Sequence, residues 1–203
     1  HDVAEGAHHQ DAGALVGLGV LCRENRNPGA EQRGDGVLAE QRLVSLVVGI
    51  DANNPGQVTG EMWDGTSWSA LPLGMGNVSE SYWYGAEVAY EQQSGDAVVV
   101  WNNGSQLQYA VWDGSSWTAA QSITAYTGSE PQNLRLAFDP GSDAMVLVVD
   151  DVNADDYALV WDGDSWGNAI TLDTTGTAES DQSAIAVSFE AQSGRALVTY
   201  GIN

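Results

Sequence analysis

The 203-residue sequence contains no lysine, a single cysteine and no histidine after residue 9. Because Cys22 is alone, an internal disulfide and a small disulfide-held fold are excluded. No apolar run approaches the ~18–20 residues of a membrane-spanning helix. A Ser–His–Asp triad would have to take its histidine from His1, His8 or His9 near the N-terminal end, which disfavours that class of hydrolase. The sequence also lacks a glycine-rich loop of the kind that holds phosphates or dinucleotides.

Basic residues are scarce, with six arginines against 28 acidic residues and a net charge of −22 at pH 7. Such a negative field repels phosphate groups, so nucleic acids and anionic membranes are poor partners and we expect no membrane insertion. The acidity suits a secreted or a salt-adapted protein, and we expect an extracellular or cell-surface location.

Aromatic residues are missing from the first 62 positions and all lie between Trp63 and Tyr200. Four of the six arginines fall between Arg23 and Arg42. This change in composition separates an irregular or degenerate N-terminal segment, residues 1–35, from residues 36–203. Three interpretations of the segment stay open: a degenerate repeat, a separate segment, or a sequence foreign to the fold.

A seven-residue motif recurs at a fixed interval of 49 residues, as MWDGTSW at 62–68, VWDGSSW at 111–117 and VWDGDSW at 160–166. Short runs rich in β-branched residues alternate with turn signals such as Asn103-Gly104. In the middle copy, strands are predicted at 87–91, 97–101, 107–112 and 117–123. A degenerate copy of the first two strands, VLAEQRLVSLVV, lies at 37–48.

A four-stranded unit that recurs every ~40–50 residues is typical of a β-propeller blade. A β-sandwich would explain the density of strands but not the fixed period. The sequence therefore predicts an all-β propeller with about three complete four-stranded antiparallel blades and a partial one. The predicted blades are about 36–84, 85–133, 134–183 and, in part, 184–203.

The W-D-G-x-S-W motif connects the third and fourth strands, and two hairpin registers compete. A type I′ turn at Asp-Gly places Trp112 opposite Ser115, whereas a type II′ turn at Gly-Ser places Trp112 opposite Trp117. We favour the second register because it pairs tryptophans across the strands in every copy. The predicted pairs are Trp63 with Trp68, Trp112 with Trp117, and Trp161 with Trp166.

Two roles are open for these paired indole rings. In the first, the rings stack on sugar rings, and three copies of such a site give avidity. In the second, they brace the hairpin and pack between blades. We favour the second role because large aromatic residues at repeated turn positions commonly pack.

The strand pattern, the period and the W-D-G-x-S-W turn resemble bacterial extracellular β-propeller repeat proteins over about residues 36–203. The stretch YALVWDGDSW at 157–166 is also similar to the third strand of a WD40 repeat, although the Gly-His dipeptide of that family is absent. Kelch repeats have a similar period, but their paired glycines are missing here. Propellers usually have more blades than this chain supplies. The chain is therefore a fragment of a larger propeller, or residues 1–35 contain another blade, which the stretch GALVGLGV at 13–20 suggests. Otherwise, open strand edges would pair with another copy of the chain.

The resemblance implies that ligands bind on the face formed by the second-to-third-strand loops and the connections between blades. Acidic residues recur in these connections, and we interpret them as candidate ligand-binding residues for cations or polar ligands. They are Glu80, Glu130, Glu179 and Asp181.

The loop DDVNADD at 150–156 is the candidate metal site. Asp151, Asn153 and Asp155 offer oxygen atoms at alternating positions, as calcium-binding loops do. The glycine and the distant glutamate of an EF-hand are absent. Ca²⁺ is therefore the one cofactor that the sequence suggests, and no catalytic residue is assigned.

Two functions compete. Because no catalytic constellation stands out, we expect a non-catalytic extracellular scaffold that binds glycan or protein ligands through its loops. The alternative is a glycan-processing propeller enzyme, a hydrolase or a lyase, that uses carboxylates of these loops.

Overall fold

A computed structural model of the chain describes residues 57–64, 66–77, 85–175 and 185–201, and the backbone of residues 15–22 and 45–51. These residues form fourteen β-strands. None of them belongs to a helix long and apolar enough to cross a membrane. The strands are β1 Leu15–Cys22, β2 Ser45–Asp51, β3 Gln57–Trp63, β4 Trp68–Ala70, β5 Ala86–Tyr90, β6 Ala97–Asn102, β7 Leu107–Trp112, β8 Gln121–Ser122, β9 Pro131–Phe138, β10 Met145–Asp151, β11 Asp156–Trp161, β12 Trp166–Asp173, β13 Ala186–Phe189 and β14 Ala196–Thr199.

Hydrogen bonds arrange these strands into four antiparallel sheets. Three sheets contain four strands in sequence order, β1–β4, β5–β8 and β9–β12, and the last contains β13 and β14. We call these sheets blades 1 to 4. Because consecutive strands are neighbours, the chain completes one blade before it starts the next. The prediction of an all-β propeller is confirmed.

The strand β6 is buried along its whole length. Ala97, Val99 and Trp101 pack into a cluster shared with blade 1, while Val98 and Val100 pack into a cluster shared with blade 3. A continuous apolar run is expected for a strand that is covered on both faces. β10 shows the same alternation between blades 2 and 4. The hydrophobic core therefore lies between the blades.

The first strands of successive blades contact one another. β5 contacts β1 on one side and β9 on the other, and β9 contacts β13. The first strands therefore line the inner side of the propeller, and the fourth strands lie farthest from it.

The first sheet begins earlier in the chain than the repeat pattern indicates. β1 lies at Leu15–Cys22, inside the segment 1–35, and pairs with β2 with an irregularity between Val16 and Gly19. The degenerate copy of a first strand, VLAEQ at 37–41, lies outside the described residues.

The fourth strand of blade 2 is shorter than the predicted 117–123. The ladder is continuous only at Gln121–Ser122, and an isolated bridge joins Trp112 to Trp117. Thr118 explains the interruption, because its Oγ1 accepts the Val111 N–H at 3.0 Å where a regular ladder would use a backbone carbonyl.

The Asn-Gly turn between β6 and β7 has the conformation that its sequence predicts. Gly104 has a φ of 100°, in the left-handed region that glycine tolerates. A Cβ at this position would come within 2.8 Å of the Asn77 carbonyl oxygen. The turn therefore packs closely against the connection that follows blade 1.

Candidate functional site

The three W-D-G-x-S-W hairpins share one geometry. Tryptophans pair across the strands, Trp63 with Trp68, Trp112 with Trp117 and Trp161 with Trp166. The ring centroids of the pairs lie 5.6, 5.5 and 5.5 Å apart. The Trp–Trp register favoured from the sequence is confirmed.

The aspartate of each hairpin organises the turn. Oδ1 of Asp113 accepts the backbone N–H groups of Ser115 and Ser116, both at 2.8 Å. The hydrogen bond from the Ser115 hydroxyl, followed by those from the backbone, lowers the pKa of Asp113 to about 2. Asp64 and Asp162 accept equivalent backbone hydrogen bonds. The aspartate of the motif is therefore engaged inside the turn.

Trp161 also joins two blades. Its indole N–H donates to Oε1 of Glu91 at 2.5 Å, and Oε2 of Glu91 accepts a hydrogen bond from the Ser94 hydroxyl. Asp143 of blade 3 accepts the backbone N–H of Gln93 in the same turn of blade 2, at 2.5 Å. In blade 3, the motif therefore packs between blades as well as bracing its hairpin.

A groove of about 480 Å³ opens beside the hairpin of blade 2. Trp112, Trp117 and Leu73 are among the residues that line it. The indole N–H groups of both tryptophans are buried, with no hydrogen-bond acceptor among the residues that the structure describes. Their polar edges are therefore turned into the protein, and packing stays the role that we favour over the alternative of sugar stacking.

The loop between β10 and β11 is organised by Asp151, which is completely buried. Its Oδ1 accepts the backbone N–H groups of Asn153 and Asp155 at 2.8 and 3.1 Å, and its Oδ2 accepts that of Ser129 at 2.8 Å. The side-chain amide of Asn153 donates to Oγ of Ser129 at 2.7 Å. The loop and the connection between blades 2 and 3 are therefore tied together.

This bonding bears on the predicted calcium site. Both carboxylate oxygens of Asp151 accept hydrogen bonds from backbone N–H groups. The side chain of Asn153 donates to Ser129 in the neighbouring connection. In the described part of the chain, no three acidic, histidine or cysteine side chains gather in a geometry that could hold a metal ion. The calcium prediction for Asp151, Asn153 and Asp155 has no support in this geometry.

The candidate ligand residue Glu130 lies beside the same loop. Its carbonyl oxygen accepts the Val152 N–H at 3.0 Å, and the buried Asn102 at the end of β6 donates to the neighbouring Pro131 carbonyl. The second-to-third-strand loops and this connection therefore share one face. Outside the described residues lie Glu80, Glu179 and Asp181, so the set of four carboxylates stays a prediction.

A row of polar side chains, missed in the sequence, crosses blade 3 near this face. Its members are successive cross-strand neighbours, Asn133, Asp150, Asp156 and Asp173. Cross-strand neighbours share a face of the sheet, and this face is the one whose apolar residues pack towards blade 4. The sequence feature that could have indicated this row is the aspartate at each end of the DDVNADD loop.

Asp156 is the most perturbed carboxyl of this row. It is only 5% exposed, and burial raises its pKa to about 7, with the charges of Asp150 and Asp173 acting in the same direction. Burial also raises the pKa of Asp150, which accepts a hydrogen bond from Asn133 at 2.9 Å. Asp156 is therefore partly protonated near neutral pH.

Among the described residues, Glu87 is the other carboxyl with a strongly raised pKa, and it lies on the inner strand β5. Burial raises its pKa to about 7, against the opposing effect of the Arg135 charge. Nη1 of Arg135, on the neighbouring inner strand β9, lies 3.7 Å from Oε1 of Glu87 and donates to the Leu134 carbonyl at 2.8 Å. The two side chains lie beside each other in a partly desolvated environment at the inner side of the propeller.

Comparison with known proteins found similarity at the level of structure. No protein-family model matches the chain, and no curated protein sequence matches it. The chain is similar to the catalytic domain of the GH62 α-L-arabinofuranosidase of Coprinopsis cinerea, with a TM-score of 0.50 and 12% identity, over 94% of this chain and 66% of that one. It is also similar to an α-L-arabinofuranosidase of Podospora anserina in complex with cellotriose, with a TM-score of 0.46 and 14% identity, over 92% of this chain and 63% of that one. The chain therefore spans slightly less than two thirds of either protein.

The first of these similarities agrees with the strand topology, since the GH62 enzymes are β-propellers. It also corrects the functional expectation. The interpretation of the chain as a non-catalytic scaffold is wrong on this finding, because the propeller that it resembles is the catalytic domain of a glycoside hydrolase.

Proposed function

We propose that the chain is part of a glycan-processing β-propeller enzyme that hydrolyses glycosidic bonds, with Glu87 as the general acid. The observation that carries the proposal is Glu87 itself, a carboxyl on an inner strand whose pKa burial raises to about 7. The fold shared with an arabinofuranosidase catalytic domain supports the reaction class. The acid lies on a strand, whereas the sequence interpretation sought carboxylates in the loops.

Hydrolysis of a glycoside generally requires a carboxylic acid that protonates the leaving oxygen and a second carboxylate that activates water or attacks the sugar. Glu87 suits the first task because burial favours its neutral form up to about pH 7. It gives its proton to the leaving oxygen as the glycosidic bond breaks. Arg135, with Nη1 3.7 Å from Oε1 of Glu87, then stabilises the carboxylate that remains.

Comparison of the repeats within the chain supports a functional role for this pair. The position of Glu87 in blade 2 is taken by Arg135 in blade 3 and by Ala186 in blade 4. The fold therefore does not require a carboxyl at this point of the first strand. Burial of a carboxyl without structural need costs stability, and such costs are typical of functional sites.

The first experiment is a hydrolysis screen with aryl glycosides and polysaccharides. It starts with aryl α-L-arabinofuranosides because the propeller of TM-score 0.50 is the catalytic domain of an arabinofuranosidase. We expect the wild-type chain to release sugar and Glu87→Gln to be slower by about 10²–10⁴-fold, the usual contribution of general acid catalysis. Glu61→Gln, a change at an exposed carboxylate on β3, is the matched control and should keep the wild-type rate. Absence of turnover by the wild type on every substrate, or full turnover by Glu87→Gln, contradicts the proposal.

The second carboxylate is sought by replacing acidic residues with their amides. The described candidates are Glu130, Asp150 and Asp156, and the predicted residues Glu80, Glu179 and Asp181 belong to the same series. The partner of Glu87 is the residue whose replacement abolishes hydrolysis while the protein keeps its thermal stability.

A glycan ligand and an extracellular or cell-surface location belong to the same proposal. Polysaccharides that an enzyme of this kind would cleave lie outside the cell, and the net charge of −22 suits a protein that works there. Fractionation of producing cells, with the chain expected outside the cytoplasm, tests this part.

A further inference from the structure

The first turns of blades 2 and 4 have the same geometry. The N–H of Glu91 donates to the Asp96 carbonyl, and the N–H of Glu190 donates to the Arg195 carbonyl, both at 2.8 Å. In each turn, the serine three residues after the glutamate donates from its hydroxyl to Oε2 of that glutamate. Glu190 is therefore the structural equivalent of Glu91.

The two glutamates differ in what covers them. Oε1 of Glu91 accepts the Trp161 indole N–H at 2.5 Å, and Glu91 is only 3% exposed. Glu190 is exposed, and its Oε1 accepts no hydrogen bond from the residues that the structure describes. Leu197 is 69% exposed at the position where Val98 of blade 2 is fully buried. The face of blade 4 that carries Glu190 and Leu197 is thus open where blade 2 is covered by blade 3.

Blade 1 presents the complementary group. Trp63 corresponds to Trp161 in the repeated motif and lies on the face of β3 opposite to Val58 and Met62, which pack towards blade 2. Trp63 is half-buried, and its cross-strand partner Trp68, with ring centroids 5.6 Å apart, is 52% exposed. A half-buried tryptophan with an indole donor therefore lies on blade 1, and an exposed glutamate acceptor lies on blade 4.

We propose that the open face of blade 4 binds the W-D-G hairpin of blade 1 from a second copy of this chain. In this contact, the Trp63 indole N–H donates to Glu190 as Trp161 donates to Glu91 between blades 3 and 2. Leu197 is covered by the incoming hairpin, as Val98 is covered by blade 3. The contact joins different surfaces of the two copies, so copies associate head to tail and either close into a ring or extend.

Electrostatics sets a condition on this association. Each copy carries a net charge of −22, so two copies repel each other at low ionic strength. Screening over about 8 Å at about 0.15 M salt, and over about 3 Å at about 1 M, weakens that repulsion. Association should therefore strengthen with salt, whereas a contact made mainly by ion pairs would weaken.

Sedimentation equilibrium of the 203-residue chain over a range of concentrations, at about 0.15 and 1 M salt, tests the proposal. We expect reversible association that is stronger at the higher salt. Glu190→Ala and Trp63→Phe should each raise the dissociation constant by about tenfold or more, because each removes one partner of the hydrogen bond.

The matched controls are Asp164→Ala, at an exposed carboxylate of the blade 3 hairpin, and Trp112→Phe, in an equivalent tryptophan pair. Both should associate like the wild type, with circular dichroism used to verify that all variants are folded.

A mixing experiment separates this contact from a general loss of association. A copy with Glu190→Ala still has Trp63, and a copy with Trp63→Phe still has Glu190, so a mixed pair holds one intact contact. An equimolar mixture should therefore associate more tightly than either variant alone. The proposal is overturned by a wild type that stays monomeric at both salt concentrations, by variants that associate like it, or by a mixture no tighter than its components.

Discussion

The indole N–H of Trp161 donates a 2.5 Å hydrogen bond to Oε1 of Glu91, 70 residues earlier in the chain. Both residues are buried, and Tyr109 packs edge-on against the Trp161 ring with centroids 5.5 Å apart. The contact ties the last hairpin of blade 3 to the first turn of blade 2. A residue of the repeated motif thus stabilises the junction between two blades as well as its own hairpin.

Trp161→Phe should lower the free energy of unfolding by about 1–3 kcal/mol more than Trp112→Phe does. The first change leaves the buried Glu91 carboxylate without this donor, whereas the Trp112 N–H has no acceptor among the described residues. Both changes replace an indole by a phenyl ring, so the effect of the smaller ring is common to the two variants. Urea denaturation followed by circular dichroism measures both losses, and equal values would show that the hydrogen bond contributes nothing.

Asp162→Ala should lower the melting temperature, and Asp164→Ala should leave it nearly unchanged. Asp162 accepts the N–H groups of Ser165 and Asp164 at 2.8 and 3.1 Å, and these bonds lower its pKa. Because the pKa is lower in the folded than in the unfolded chain, the stabilisation is present above about pH 4 and is lost as the pH falls through the folded value. Thermal melts of the wild type and Asp162→Ala should therefore converge in acid. A difference that persists unchanged at about pH 2 would contradict the carboxylate's role.

Asp156→Asn should stabilise the protein at alkaline pH. In the folded chain, burial and the neighbouring carboxylates raise the pKa of Asp156 from 3.8 to about 7, which favours the protonated form. The protonated form's contribution to the free energy of unfolding is therefore fully present below about pH 4, and it is lost as the pH rises through about 7. The amide stays neutral, so the variant should exceed the wild type by about 1–3 kcal/mol at about pH 8 and by little at about pH 4.

Urea denaturation at the two pH values measures this difference. Asp164→Asn, at an exposed aspartate, is the control and should give the same stability as the wild type at both. A variant that is less stable than the wild type at about pH 8 would show that the Asp156 carboxylate is stabilised by a partner.

The architecture could be predicted because its structural residues are repeated in the sequence. Each W-D-G-x-S-W copy indicates a hairpin, which made the Trp–Trp register predictable. The constant spacing of Trp63, Trp112 and Trp161 indicates a repeated unit, which made the propeller predictable. β1 was only suggested, by the stretch GALVGLGV in a segment that could be a degenerate repeat, because Leu15–Cys22 carries no copy of the motif. Strand pairing there depends on contacts distant in sequence.

The candidate site was less accessible from the sequence. Asp151 has the chemistry of a calcium ligand, but only the fold shows that backbone N–H groups occupy both of its oxygens. Glu87 lies in the alternating strand EVAYE, where a charged residue is expected to face solvent. Its burial arises because β9, with Arg135, lies beside β5. Such a desolvated pair has no local sequence signal.

The central claim is that Glu87 acts as a general acid, and the pH dependence of kcat/KM for wild-type and Glu87→Gln proteins tests it most directly. Wild-type activity should fall as the pH rises through about 7, where Glu87 loses its proton. Glu87→Gln should lose most activity on a glycoside with a poor leaving group and much less on a dinitrophenyl glycoside, whose leaving group needs no proton. The account is contradicted if Glu87→Gln shows the wild-type pH profile, or if its loss of activity is the same on both substrates.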